Sequence, residues 1–223
     1  MTLYLNGNII GDLYVSGTKI SEAWLNGQKV YSSVPPFVPI NYMFRDIDAN
    51  GNLTLATGAL EDVSEITQIG TSGLENAFRR CTGLKGSVSF PNLTTISSNG
   101  LRDAFNNCTG LTGSVSFPNL TTINSNGLNN AFYGCKRLTG SVSFPNLNTV
   151  GEYGLNSAFQ GCTGLTGSVS FPNLTSIGNY GLQNVFLSCK GLTKVHFKSS
   201  LSGNSQCTAS NMGCTNATVY FDL

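Results

Sequence analysis

The feature that most constrains this 223-residue chain is a repeat of fixed step. Cys81, Cys108, Cys135, Cys162 and Cys189 lie 27 residues apart, as do Phe78, Phe105, Phe132, Phe159 and Phe186, and Leu74, Leu101, Leu128, Leu155 and Leu182. One unit reads Gly-Leu-x-x-Ala-Phe-x-x-Cys-x-x-Leu and then Thr-Gly-Ser-Val-Ser-Phe-Pro-Asn-Leu-x-x-Ile, with Pro91, Pro118, Pro145 and Pro172 near its close. A unit this short cannot bury its apolar side alone, so successive units must stack as coils. Leu101, Ala104, Phe105 and Cys108 fall at i, i+3, i+4 and i+7, which predicts one face of a short helix. Val115 and Phe117 alternate with Ser114 and Ser116, which predicts a strand with one buried face. The expected architecture is an α/β repeat solenoid whose coils each hold a short helix and a strand, the strands pairing in parallel, with proline ending each strand.

The pattern changes at both ends. Leu192-Thr193-Lys194-Val195-His196-Phe197 is one residue shorter than its counterpart in the preceding coil, and Cys214, Ala217, Val219 and Phe221 resemble a further compressed half-coil. A terminal unit of this kind is expected to cover the end of the core. Residues 43–55 occupy the place of an N-terminal cap without matching the repeat. Before them a second repeat runs with a step of ten: Leu3-Tyr4-Leu5-Asn6-Gly7, Leu13-Tyr14-Val15-Ser16-Gly17 and Ala23-Trp24-Leu25-Asn26-Gly27. Asn-Gly or Ser-Gly between short alternating runs predicts tight hairpins, because glycine accepts positive φ at little cost. The expected organisation is a small all-β module over residues 1–31, a Pro-rich linker over 32–42 carrying Pro35, Pro36 and Pro39, and the solenoid with its terminal caps over 43–223.

Composition then narrows the function. Only 10% of residues are charged, the net charge is +1, and Lys and Arg form no run. Such a surface has no electrostatic footprint for nucleic acid or for anionic lipid. No segment is long and apolar enough to predict membrane insertion, and the first residues lack the basic start and apolar stretch of a secretory signal, so export by that route is not expected. His196 is the only histidine, which leaves no His-pair metal site and no spare base for a Ser-His-Asp set. The repeat cysteines are expected to be reduced, buried fillers beside Phe and Leu, where the thiol is suppressed. The sequence therefore predicts no enzyme, no catalytic residue, no metal and no cofactor.

Two surfaces are candidates for ligand binding. The outward strand positions Ser114, Ser116, Ser141, Ser143, Ser168 and Ser170 should form two columns of hydroxyls that end in Lys194, His196 and Lys198. The turn before each helix varies between coils, and there Tyr153 and Tyr180 should stack one coil apart, with Tyr133 extending the patch. Exposed aromatic pairs offer a large rigid area with a polar tip, which suits a sugar or protein partner.

The Ala-Phe-x-x-Cys-x-x-Leu core followed by a strand ending in Phe-Pro resembles the BspA-like leucine-rich repeats found on bacterial surface proteins and in some protists, over roughly residues 66–223. The stretches Tyr4-Leu5-Asn6-Gly7 and Trp24-Leu25-Asn26-Gly27-Gln28-Lys29-Val30-Tyr31 resemble short modules of phage and prophage tail or structural proteins. Together the two resemblances imply a non-catalytic phage virion protein, a tail receptor-binding or decoration protein. Residues 1–31 would then join a virion or tail component, and the solenoid would contact a cell-surface glycan or protein receptor. The alternative that the first resemblance alone implies is a BspA-like adhesin or antigen of the bacterial cell surface.

Overall fold

The computed structural model describes residues 66–223, and before them only the backbone of seven short strands. Six of these form three antiparallel pairs: Tyr4–Leu5 with Asn8–Ile9, Leu13–Val15 with Thr18–Ile20, and Glu22–Leu25 with Gln28–Ser32. The seventh, Gly58–Ala59, pairs in parallel with Leu84–Ser89. The expected linker, apart from Ser32, and the expected N-terminal cap lie outside the described residues.

From residue 66 onward the chain winds as stacked 27-residue coils. Each coil contributes to parallel sheets on two of its sides. The longer strands Leu84–Ser89 and Leu111–Ser116 form one ladder with the short strand Val142–Ser143, and Val88, Val115 and Val142 are in register. A second ladder joins Thr166–Phe171, Gly191–Phe197 and Thr218–Phe221. The other side is a five-stranded sheet of two-residue strands, running from Gln68–Ile69 through Thr95–Ile96, Thr122–Ile123 and Thr149–Val150 to Ser176–Ile177. In the longer strands the inward residues are buried Val and Phe and the outward ones mainly Ser and Thr, which is the period-2 signature realised. Ser168 to Phe171 pair with Lys194 to Phe197 of the shortened last full coil after a register shift between Gly167 and Ser168 that leaves Thr193 unpaired in the ladder.

The third side departs from expectation. Where a short helix was predicted, the backbone makes a run of tight turns with one left-handed residue in every four. In successive coils these are Ser72, Asn76, Arg80; Asn99, Asp103, Asn107; Asn126, Asn130, Gly134; Tyr153, Ser157, Gly161; and Tyr180, Asn184, Ser188, with φ from 51° to 76°. The N–H groups of Gly100, Arg102, Ala104, Asn106 and Cys108 donate to carbonyls three residues back at 2.9–3.1 Å. Those of Asn99, Leu101, Asp103, Phe105 and Asn107 donate instead to Ser125, Gly127, Asn129, Ala131 and Tyr133 of the next coil at 2.7–3.0 Å. A helix would spend every N–H within its own coil. Resetting φ once per four residues frees alternate donors for the neighbour, so this face too is hydrogen-bonded from coil to coil. Asn, Asp and Gly supply most of these positions because they tolerate the left-handed region best. A four-residue turn period still turns Leu101, Ala104, Phe105 and Cys108 inward, and all four are buried.

The core is a set of columns. Phe78, Phe105, Phe132, Phe159 and Phe186 stack in near-parallel offset at 4.8, 5.0, 5.2 and 6.0 Å. Phe90, Phe117, Phe144, Phe171, Phe197 and Phe221 form a second column at 5.3–6.1 Å. These spacings follow from the ~4.8 Å separation of hydrogen-bonded strands. The C-terminal end is closed by the helix Ala209–Met212 and the strand Thr218–Phe221, with Met212, Cys214 and Ala217 buried. Asn184 and Phe186 donate their N–H groups to the carbonyls of Asn211 and Met212, as they would to another coil.

Candidate functional site

The cysteine column is structural chemistry. Four of the five thiols donate to the phenylalanine carbonyl of the coil before them: Cys108 to Phe78 at 2.9 Å, and Cys135 to Phe105, Cys162 to Phe132 and Cys189 to Phe159 at 3.1 Å. The cysteine is thus a small core filler that also gives a second hydrogen bond to a buried carbonyl already accepting from a backbone N–H, which alanine could not do. Burial pushes the Cys135, Cys189 and Cys207 thiols up to about 12, and those of Cys108, Cys162 and Cys214 also rise, chiefly through desolvation. All seven cysteines are free, so Cys207 and Cys214 are not paired.

The turn edge carries the aromatic pair. Tyr153 and Tyr180 stack with ring centroids 5.0 Å apart and an interplanar angle of 17°. Tyr180 is 46% exposed, and Tyr153 is half-buried beneath it. Both hold positive φ, 52° and 56°, at the corner where earlier coils hold Ser72, Asn99 and Asn126. Tyr133 is exposed, but it sits two turns further along the run, and its ring does not join the stack.

On the outward strand face, Ser168 and Ser170 are in register with Lys194 and His196, and Ser116 with Ser143. Ser114 donates its N–H to Ser87 Oγ at 3.0 Å, while Ser141 is exposed. The column continues into residues that the sequence did not single out. His196 Nδ1 lies 2.9 Å from the Asp222 carboxylate, its ring stacks on Tyr220 at 4.9 Å, and Lys194 Nζ sits 5.9 Å over the Tyr220 ring. Lys198 leaves this group. It follows Phe197 in the place that proline takes in other coils, and it lines a groove of about 730 Å³ with Thr67, Asn92, Thr94, Asn119, Thr121, Asn146, Asn148 and Asn173.

With this geometry in place, comparison with known proteins is specific. The BspA type leucine rich repeat region matches in six copies over residues 63–180, more than half of the chain. The chain belongs to this family of BspA-type leucine-rich repeats. The crystal structure of a leucine-rich repeat protein of T. pallidum is similar in fold, with a TM-score of 0.51 and 21% identity over 82% of this chain and 81% of that one. No curated protein matches the chain. The matched region leaves residues 1–31 aside, so the phage-like reading of that stretch draws no support from these similarities.

The BspA-type coils bring the tyrosine pair together and separate it from Tyr133, and they align the serine columns with Lys194 and His196 but not with Lys198. Among the described residues no group of three His, Cys, Asp or Glu side chains could hold a metal ion, and no helix is long and apolar enough to cross a membrane. Arg102 pairs with Glu75 at 3.4 Å at the surface and lies 3.7 Å from the buried Asp103, whose carboxylate accepts from Asn106 Nδ2 at 2.6 Å. The groove is not among the surfaces expected from the sequence. The usable signal was a polar residue, Asn92, Asn119, Asn146 and Asn173, repeating in every coil with no core position to fill.

Proposed function

We propose that this chain is a non-catalytic adhesion protein of the bacterial surface, and that Tyr153 and Tyr180 anchor its partner, a cell-surface glycan or protein receptor. One observation carries the reading. A bulky residue in the left-handed region costs about 1–2 kcal/mol, and here two consecutive coils accept that cost at a corner where Asn99 and Asn126 sit with less strain. The product is an outward aromatic stack that fills no core space, which is the form a contact residue takes. The outward serine columns and the Lys194, His196, Tyr220 and Asp222 group offer a secondary, more polar contact surface.

Family membership supports placement at the cell surface, and the match covers far more of the chain than the phage-like motifs of residues 1–31. The virion reading rests on those motifs alone, so surface adhesion is the preferred assignment. An antibody raised against the solenoid tests it. It should label intact cells of the bacterium that makes the protein, and labelling confined to phage particles or to broken cells would overturn the assignment.

A further inference from the structure

We infer that the asparagine-lined groove is a second binding site, distinct from the tyrosine edge, and that it takes a linear, uncharged polysaccharide. The groove runs along the solenoid at the corner between the longer strands and the two-residue strands, and its walls are two columns with the 27-residue step of the repeat. One is Asn92, Asn119, Asn146 and Asn173; the other is Thr67, Thr94, Thr121 and Asn148.

Both columns are held rigid by the coils themselves. Asn119 Nδ2 donates to the Pro91 carbonyl at 2.8 Å, and Asn146 and Asn173 donate to those of Pro118 and Pro145 at 2.7 Å. A carbonyl can only accept, so the amide orientation is fixed and Oδ1 faces away from it. Among the described residues the Oδ1 atoms of these three side chains have no partner. The threonine hydroxyls likewise donate backward, Thr94 to the Thr67 carbonyl at 2.9 Å and Thr121 to that of Thr94 at 3.1 Å; Thr121 Oγ1 also lies 3.4 Å from Thr122 Oγ1 and Asn148 Oδ1 accepts from Thr175, so this wall offers a lone pair on each of these threonines but not the Asn148 oxygen. Asn119, Asn146 and Asn173 are therefore a preorganised row of acceptors, repeated once per coil, in a groove lining without an acidic side chain and with Lys198 as its sole cation.

That pattern selects the ligand class. A row of neutral acceptors calls for a ligand dense in hydroxyl donors, and a polyanion would meet only one cation. An extended peptide repeats its outward groups every ~6.7 Å, out of step with coils ~4.8 Å apart, so it could not meet the same acceptors in successive coils. A sugar ring linked head to tail advances by about the width of one coil and can present a hydroxyl to each. Preorganised acceptors also avoid the ordering cost of binding a long polymer.

The test is affinity electrophoresis of the full chain in native gels that each contain one linear polymer: a β-glucan, an α-glucan, a xylan, a mannan, a galactan or, as the charged comparison, a polyuronate. The expected result is retardation by at least one neutral polymer, reduced tenfold or more in apparent affinity by Thr121→Trp, which blocks the groove from a surface position. Thr94→Trp is the independent second block, and thermal melting verifies the fold of each. Retardation by no neutral polymer, or by the polyuronate alone, overturns the inference. So does retardation that both blocking variants leave intact. Loss with Tyr153→Ala and Tyr180→Ala combined, but with neither blocking variant, would assign the sugar to the tyrosine edge and also overturn the groove.

Discussion

Replacing Phe132 by alanine tests the stacked core most sharply. Phe132 is fully buried, at 0% exposure, and both of its faces are covered, by Phe105 at 5.0 Å and by Phe159 at 5.2 Å. Collapse around the cavity is opposed by the backbone, because Phe132 donates its N–H to Ala158 and Phe105 donates to Ala131, both at 2.8 Å. A large-to-small change at a site that cannot relax belongs in the upper part of the usual range for Phe→Ala, about 4–5 kcal/mol. For a chain of this size that corresponds to a fall in Tm of roughly 8–20 °C. Tyr133→Ala, one residue away and facing solvent, should cost less than about 1 kcal/mol. Urea titration followed by far-ultraviolet circular dichroism compares them. Each coil contacts only its neighbours, so a mid-solenoid defect should also lower the apparent cooperativity of unfolding. Equal losses from the two variants, or a Phe132→Ala loss below about 1 kcal/mol, would refute the columnar packing.

Three further outcomes follow from the same geometry. Thiol reagents should reach Cys81, Cys108, Cys135, Cys162 and Cys189 only after denaturation, and native labelling at the rate of a free thiol would contradict their burial. The folded protein holds Cys108, Cys135, Cys162 and Cys189 protonated past the ordinary value of 9.0, while the unfolded chain ionises there, so the unfolded state binds fewer protons and stability falls as pH rises. Between pH 9 and about 12 each such thiol should remove up to ~1.4 kcal/mol per pH unit, and Cys135→Ala should show a shallower decline than the parent chain in urea titrations at pH 8 and 10. Tyr153→Asn should leave stability within about 1 kcal/mol of the parent, because relief of the left-handed strain offsets the lost stack, whereas a loss above 2 kcal/mol would mean that the tyrosine is a structural requirement.

The solenoid was legible in the sequence because its strongest constraint is translational. A 27-residue step in Phe, Cys and Leu can only mean stacked coils, and the Val/Phe alternation with serine gave the strand and its buried face. The turn run was not legible as such, since Leu101, Ala104, Phe105 and Cys108 are turned inward equally by a helix and by a four-residue turn period. The deciding residues were Asn99, Asp103 and Asn107, at a spacing of four, whose preference for positive φ speaks against a helix. The two-residue strands, such as Thr95–Ile96, are too short to leave an alternating pattern. At the candidate site, the Tyr153–Tyr180 stack followed directly from the step of the repeat. The meeting of His196 with Asp222 and Tyr220 did not, because it depends on a compressed final unit whose register only the fold defines. Lys198 left the expected column for a related reason, since it stands where the other coils place the proline that ends the strand.

The measurement that bears most directly on the central claim is adhesion by the tyrosine edge. Beads coated with the full chain, and beads coated with Tyr153→Ala/Tyr180→Ala, are applied under flow to a panel of eukaryotic and bacterial cells, with melting curves confirming that both proteins are folded. The account predicts that the parent chain holds at least one cell type and that the double variant weakens attachment by about tenfold per anchor removed. Unchanged attachment by the folded double variant would contradict it.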